Sequence, residues 1–483
     1  MDIPIGPLRA DSAAGVNPGD AAFVSNVGIR RDNDGVFYTP KPSLSVGSSA
    51  TALNGPFKGG FSARTSSGTV VNFVCTSDTI YTVSSAGVVT SIGTGYNLPT
   101  GDMWSMCQFG TKAIFTNKTD GMLAYDIDAG GAVSAISGAP KARVVRAVFD
   151  VLFALDCDGN NRLVRNSDFV YTNWTSGVAG YQEFPDGLDL QGIEEINDST
   201  AILFQRGRIR LVTRQPTQAL WFQTTMARNE GAINPWCIVP AHGAVYFIDV
   251  NGIKRAGSDG VVPIGLGKVD HYFWDTYASA SAETVLGAYD PVNDGVRWIT
   301  KDTATDTNYA HGVEYDIRAD EFVFREETLS GIMSAATAGY TLEELDAFGT
   351  VDTITESFDS RLWYGGTNGI FGISSAYKVG SYSGAYLAAN FVSNTVMLPT
   401  RAVFKRMLAD TDSANVQAFL AVSERIADGL TTSAISTPDA SGHVELEHPA
   451  GKNFRLEATI PAGETWTYMR GYRDISLTMN GVR

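Results

Sequence analysis

The residues of this chain that could do chemistry are few, and their spacing does not suit it. Four cysteines, Cys75, Cys107, Cys157 and Cys237, stand 32 to 80 positions apart. Zinc-binding thiols usually come as CxxC pairs, because two ligands must reach one tetrahedral ion from a tight turn, and no such pair occurs. Three of the four lie in apolar, strand-like runs, where a free thiol behaves as a small hydrophobe. They are expected to be inert and buried, in a reducing compartment. Of the five histidines, His443 and His448 are separated by five positions, which suits neither face of a strand. His242, His271 and His311 stand alone. All five read as surface or capping residues. Asp156-Cys157-Asp158-Gly159-Asn160 opens like a calcium loop but lacks the later Glu that would complete one, so it reads as a turn. Glu194 and Glu195 adjoin on a strand-like segment and would point to opposite faces, so they cannot by themselves act as a glycosidase pair. A P-loop, a G-x-S-x-G elbow and an H-E-x-x-H helix are all absent. No catalytic, cofactor-binding or metal-binding residue is assigned, and the chain is expected not to be an enzyme.

Two further groups could bind rather than react. Arg206, Arg208, Arg210 and Arg214 alternate along one hairpin and would share a face, either a solvated or interface surface or an anion site. Asn173-Trp174-Thr175-Ser176-Gly177 is a poor fragment of the sialidase repeat S-x-D-x-G-x-T-W. Trp174, Trp221, Trp236, Trp274, Trp298 and Trp363 occupy different places in their units, which favours core and interface roles over a sugar platform.

The elements that must carry these residues repeat. Apolar strand-type runs begin at Val70, Lys112, Val151, Ala201, Ala244 and Val296, with a less regular copy at Arg361–Tyr364, at spacings of 39 to 65 residues. Each is followed by a turn and a second strand, centred on Ile80-Tyr81, Leu123–Tyr125, Leu163-Val164, Ile209–Leu211, Ile253-Lys254, Val313–Tyr315 and Ile370-Phe371. Arg206-Gly207, Val250-Asn251-Gly252 and Asn293-Asp294-Gly295 supply the positive φ that tight hairpins need. Units open with stretches such as Trp104–Phe109 or Trp236–Val239. Three or four antiparallel strands per 40–50 residues is the sequence form of a β-propeller blade. Seven blades are expected over residues 55–384, or six if the irregular copy belongs elsewhere. Generic hairpins in a β-sandwich are the plainer alternative. Short connecting helices are expected at Thr341–Glu344 and Val269–Trp274.

The ends differ. Residues 1–54 are rich in Gly, Pro, Asp and Ser and read as an extended arm. Residues 385–483 alternate cleanly, with Phe454, Leu456, Ala458 and Ile460 on one face and Ile475, Leu477 and Met479 on another, as in a small β-sandwich. The arm is expected to pack with this platform domain and to protect its edges. Composition agrees with an all-β chain: 50 Gly and 43 Phe plus Tyr among 483 residues. No apolar run is long enough to cross a bilayer and the N-terminus shows no secretory signal, so a soluble chain without a membrane anchor is expected. The formal charge of −16 argues against gripping nucleic acid, though not against letting it pass.

An ordered set of segments carries a resemblance. Pro140-Lys141-Ala142-Arg143 comes first, then Tyr171-Thr172-Asn173-Trp174 and Phe184-Pro185-Asp186-Gly187. Phe204–Arg210 and Asn229-Glu230-Gly231-Ala232 follow, and Tyr246 through Gly252-Ile253 to Gly265–Asp270 closes the series. Together, and most densely over residues 140–275, they resemble the tail hub or nozzle proteins of tailed bacteriophages, the phage stabilisation family. The resemblance implies a β-propeller with an added platform domain and no catalytic residues. It also implies a homohexameric ring in the virion tail, assembled in the host cytoplasm below the portal and adaptor, with tail fibre or tail-tip proteins as further partners. Such a ring extends and closes the tail and lets DNA transit its lumen during ejection. Six copies would carry about −96 formally. A bore lined by Asp, Glu, Ser and Thr would not hold phosphate, and the arginines of 206–214 are then expected to face protein neighbours. The competing reading is a carbohydrate-binding or glycan-cleaving propeller.

Overall fold

The computed structural model describes residues 2–12, 17, 19–33, 35–215, 220–278, 282–337, 366–425, 430–439, 441–446 and 449–479. The Arg361–Tyr364 strand, the Thr341–Glu344 helix, Trp363 and His448 fall outside them. No helix among the described residues is long and apolar enough to cross a membrane.

Five separate four-stranded antiparallel sheets follow one another along the chain. Their first strands are Gly60–Arg64, Ser105–Phe109, Ala142–Val148, Leu190–Asn197 and Val239–Ala241. A sixth sheet is built from Leu286–Asp290, Gly295–Thr300, Tyr309–Asp316 and the first half of Glu321–Ala336. The second half of that last strand then serves as the inner strand of a seventh, followed by Asn368–Ser374, Val379–Tyr386 and Pro42–Ser45. The seven inner strands neighbour one another in order, and the last returns to the first. The protein is a seven-bladed β-propeller. Every residue of Val151–Cys157, Ala244–Asp249 and Gly295–Thr300 is buried, as expected for strands in sheets packed on both faces. Aromatic pairs bridge neighbouring blades, with Phe73 on Phe115 at 5.4 Å and Phe204 on Phe247 at 5.0 Å.

The seventh blade departs from the sequence reading. Ile370-Phe371 lies in its second strand, not its third. Its outer strand, Pro42–Ser45, comes from the segment read as arm, so the boundary at residue 54 is redrawn: 42–45 belong to the propeller. The seam with the first blade is stitched at Ala336, whose N donates to Ser62 Oγ (2.9 Å) and whose carbonyl accepts from Asn72 Nδ2 (2.9 Å). One opening segment differs in detail: Trp236-Cys237 sits in a short 3₁₀ turn capped by Asn234 Oδ1. The short connecting helix expected at Val269–Trp274 is present, as a turn at Asp270–Tyr272 that runs on into Phe273–Ala278.

The platform is a β-sandwich. One sheet runs from Ala21–Ser25 through Ala389–Ser393 and Ala450–Ile460 to Gln417–Ser423. The other sets Ile3–Pro4 against Met469–Met479, which pairs with Val396–Thr411. Val396–Thr411 also reaches the first sheet and joins the two. Phe454, Leu456, Ala458 and Ile460 all face the core, whereas the second face runs out to solvent at Met479, 49% exposed. The arm supplies Ile3, Ile5, Val24, Val27, Ile29 and Tyr38 to this core, and sends Leu8 into the core between blades five and six.

One residue, Lys41, joins the arm to the closing strand, and it is buried. Its ammonium meets Glu314 Oε1 at 3.1 Å; Glu314 Oε2 accepts from Arg325 Nε (2.8 Å) and lies 3.4 Å from Arg297 Nη2. Arg297 also reaches Glu327 (3.4 Å) and stacks over Tyr382 at 4.6 Å. Burial opposes the charge on Glu314, but Arg325, Lys41 and Arg297 outweigh it and hold its carboxyl well below the usual range. A depressed carboxyl pKa contributes stability above the ordinary Glu value and loses it as pH falls through the folded value. Glu314→Gln should therefore cost about 3–5 kcal/mol at pH 7 by urea unfolding, because it strands three buried cations, while Lys41→Met should cost far less. The gap between wild type and Glu314→Gln should narrow as the pH is lowered below about 4. Equal costs for the two variants would overturn this account of the network.

Candidate functional site

Inner strands of all seven blades converge on an axial cavity of about 350 Å³. One side is apolar, with Phe61, Met106, Trp236, Ile238 and Met333. On the other, Arg146 Nε donates to Glu194 Oε1 (2.6 Å) and Arg146 Nη1 donates to Ser105 Oγ (2.8 Å). Burial works against the Arg146 charge, and Glu194 outweighs it, so the guanidinium pKa is raised. The wall is tight: a Cβ on Gly60 would come within 2.4 Å of Met333 Sδ and 2.9 Å of the Phe73 carbonyl. A cavity of this size accommodates a small molecule, not a polymer. A second cleft, about 460 Å³, lies at the ring-closing seam and is lined by Ser45, Ser84, Ser85, Ser381, Phe371 and other uncharged residues.

The residues singled out in the sequence are dispersed. Cys75, Cys157 and Cys237 are buried and unbonded, and Cys107 is half-buried. Burial pushes the Cys237 thiol up to about 11 and that of Cys107 to about 12. Each described histidine meets a carboxylate: His242 with Asp294, His271 with Asp275, His311 with Asp302 and His443 with Asp474. Asp156 and Asp158 diverge, the first to Lys118 (2.6 Å) and the second to Arg165 (3.1 Å). Among the described residues no group of three His, Cys, Asp or Glu is placed to hold a metal. Glu194 turns to the axial cavity, while Glu195 accepts from the Phe149 N–H (3.1 Å). Asn173 Oδ1 closes a local turn on the amides of Thr175 and Ser176, and Trp174 is buried.

The arginines of the hairpin are engaged by carboxylates of this chain. Arg208 and Arg210 both bind Asp186, and Arg210 is 2% exposed beneath Phe184. Arg206 pairs with Glu283 (2.9 Å) and Arg214 with Asp150 (3.0 Å). Those side chains are spent within the chain.

The segments that carry the resemblance are largely packing devices. A Cβ on Gly231 would fall 1.9 Å from the Gln205 carbonyl, and one on Gly187 2.7 Å from the Gln205 side chain. Gly252 and Gly265 leave room for the Asp270 carboxylate, which accepts from the Ile253 N–H at 2.9 Å. Sequence reasoning missed the Arg146–Glu194 pair and the Lys41 network. The available signal was charge within strands otherwise rich in apolar residues, as at Arg146 in Ala142–Val148 and Arg297 in Gly295–Thr300.

No family model matches the chain, and no curated protein matches it. Solved structures that resemble it include the β-propeller domain of Cps50 (Swd1) from Myceliophteria thermophila, at TM-score 0.38 and 9% identity, covering 60% of this chain and 92% of that one. Virginiamycin B lyase from Staphylococcus aureus gives TM-score 0.30 and 16% identity over 49% and 83%. A quinonprotein alcohol dehydrogenase-like protein from Bacteroides thetaiotaomicron gives 0.34 and 12% over 55% and 66%. Likeness at this level transfers no activity to this chain.

Burial raises the Asp270 carboxyl pKa to about 6. An acid whose folded pKa is raised loses stability as pH climbs from the ordinary Asp value through the folded one. Asp270→Asn, which keeps the acceptor for Ile253, should therefore stabilise the protein at pH 7–8 and do little at pH 4. Thermal melting at both pH values checks this; destabilisation at pH 7 would show that the charge itself is needed.

Proposed function

We propose that the chain is a structural protein of a bacteriophage tail, a hub or nozzle subunit that assembles as a ring below the portal and adaptor and lets DNA pass. The observation that carries this reading is the two-body architecture. The resemblance implies a propeller with an added platform, and this chain folds as a seven-bladed propeller joined to a β-sandwich through one continuous hydrogen-bonded sheet. The axial cavity, at about 350 Å³, is no conduit for nucleic acid, so DNA would run down the bore of the assembled ring.

Charge supports the same reading. Residues 271–384 hold eighteen acidic and six basic residues, or −12 of the −16 in the whole chain. The acidity is thus concentrated in one stretch of the sequence, and an acidic lining would repel phosphate rather than capture it. The glycan-binding alternative draws less support, since Trp104, Trp174, Trp298 and Trp466 are buried and no tryptophan among the described residues is exposed as a stacking platform.

Negative-stain imaging and mass photometry of the purified protein, alone and with a portal–adaptor complex, test the proposal. Six-fold rings, or particles of six copies on the adaptor, are the expected outcome. A protein that stays monomeric under both conditions would remove the hub reading.

A further inference from the structure

We propose that the outer edge of the fourth blade is a docking site for an extended, acidic segment of a partner protein, which adds there as a fifth strand. The edge strand is Trp221–Arg228, eight residues long. Among the described residues it pairs only with Arg208–Arg214 on its inner side and makes no backbone bond from its outer side.

Open strand edges are hazards that proteins normally blunt with short length, proline, charge or cover. The other outer edges described here follow that rule. Those of blades two, three and five are two, four and four residues long, and the last ends in Pro263. That of blade seven starts at Pro42 and is four residues long. Blade six is covered by the arm through Ser25, and the Val89–Thr94 edge of blade one donates from Val89 N to Thr51 and accepts from Val133 N. The fourth edge, Trp-Phe-Gln-Thr-Thr-Met-Ala-Arg, has no proline and no charge before its last residue; its one bulge, at Met226, leaves Trp221–Thr225 as a regular open edge, and Phe222 there is 58% exposed. An uncovered, strand-prone edge of this length is the template that β-augmentation uses.

Electrostatics choose the partner. Arg228 lies directly across the ladder from Arg208. Like charges opposite one another on a sheet are destabilising. Arg208 shares a single carboxylate, Asp186, with Arg210, and among the described residues Arg228 makes no ion pair. Three guanidiniums against one carboxylate leave an excess of two positive charges at this end of the edge, on a chain that is otherwise strongly acidic. A segment carrying Asp or Glu near the Arg228 end would relieve the repulsion, and its other residues would meet Phe222 and Thr224.

Fluorescence anisotropy with two synthetic ten-residue Thr/Val peptides, one ending in two Glu and the other in two Lys, tests the proposal on the full chain. The acidic peptide is expected to bind at least tenfold more tightly, and to weaken as salt is raised. Deuterium exchange should show new protection in 221–228 when it binds. Arg228→Glu should reverse the preference, and Thr224→Lys, which blunts the edge while keeping every backbone N–H, should weaken binding at least tenfold with an unchanged melting temperature. Failure of both peptides to bind, equal binding of both, or binding indifferent to the two substitutions would overturn the proposal. So would a concentration-dependent dimer abolished by Thr224→Lys, which would assign the edge to a second copy.

Discussion

Everything in this structure depends on closing a ring. A blade buries apolar side chains on both faces, so an open array would leave one face of the first blade and one of the last in water. Here closure uses two devices. The strand Glu321–Ala336 passes from the outer edge of the sixth blade to the inner edge of the seventh, so those two blades cannot separate without breaking backbone pairing. The outer strand of the seventh is then completed from the other end of the chain, with Ser45 opposite Ser381. Pairing residues more than three hundred positions apart is entropically expensive and slow, because the loop must close before the contacts reward it. Lys41 fixes where that strand enters. Set between Pro40 and Pro42, it is held extended by the proline that follows it, and its ammonium has a single position to fill beside Glu314.

The cost of burying that network explains its composition. Three cations and two carboxylates in a dry site are weak evidence of stability, because desolvation consumes most of the attraction. What they give is discrimination. An apolar side chain in place of Lys41 would tolerate a slip of the closing strand by a residue, and a one-residue slip turns every side chain to the wrong face. A charge that is satisfied at only one position does not tolerate it. The same reasoning covers Arg146 and Glu194, a matched pair that faces the axis among side chains that are mostly apolar and otherwise uncharged.

Most of the architecture was legible in the sequence, because blade strands are repetitive and their apolar runs are uninterrupted. The first six unit pairs, from Val70 to Tyr315, fall on the second and third strands of blades one to six. The seventh was not legible in the same way, since two of its strands are borrowed: one is the tail of a sixteen-residue strand and the other lies before residue 46. Local pattern carries no information about a partner that distant. The carboxylate partners of the arginines at 206–214 were not legible for a related reason. Alternation correctly puts Arg208 and Arg210 on one side, but Asp186, on the preceding inter-blade segment, is what neutralises them, and its proximity is a tertiary fact. The unpaired cation of the group, Arg228, sits on the neighbouring strand and was visible only once the ladder register was known.

The course of the arm gives the molecule its mechanical character. From Ile3–Pro4, paired at the far edge of the platform, it runs under the propeller, where Leu8 is buried, Arg9 bonds Glu321 and the Asp11 carboxylate accepts from the amides of His271 and Tyr272. It then returns through Ala21–Ser25 into the sandwich and leaves by Lys41 for the seventh blade. The platform and blades six and seven therefore share one hydrogen-bonded sheet, while blades one to five touch it only by side-chain packing and isolated bonds such as those at Ala336. Displacing the platform would require breaking ladder hydrogen bonds together, whereas displacing blades one to five relative to one another would require the loss of apolar contact and of single side-chain bonds, such as Arg146 to Glu194 between blades three and four and Lys118 to Asp156 between blades two and three.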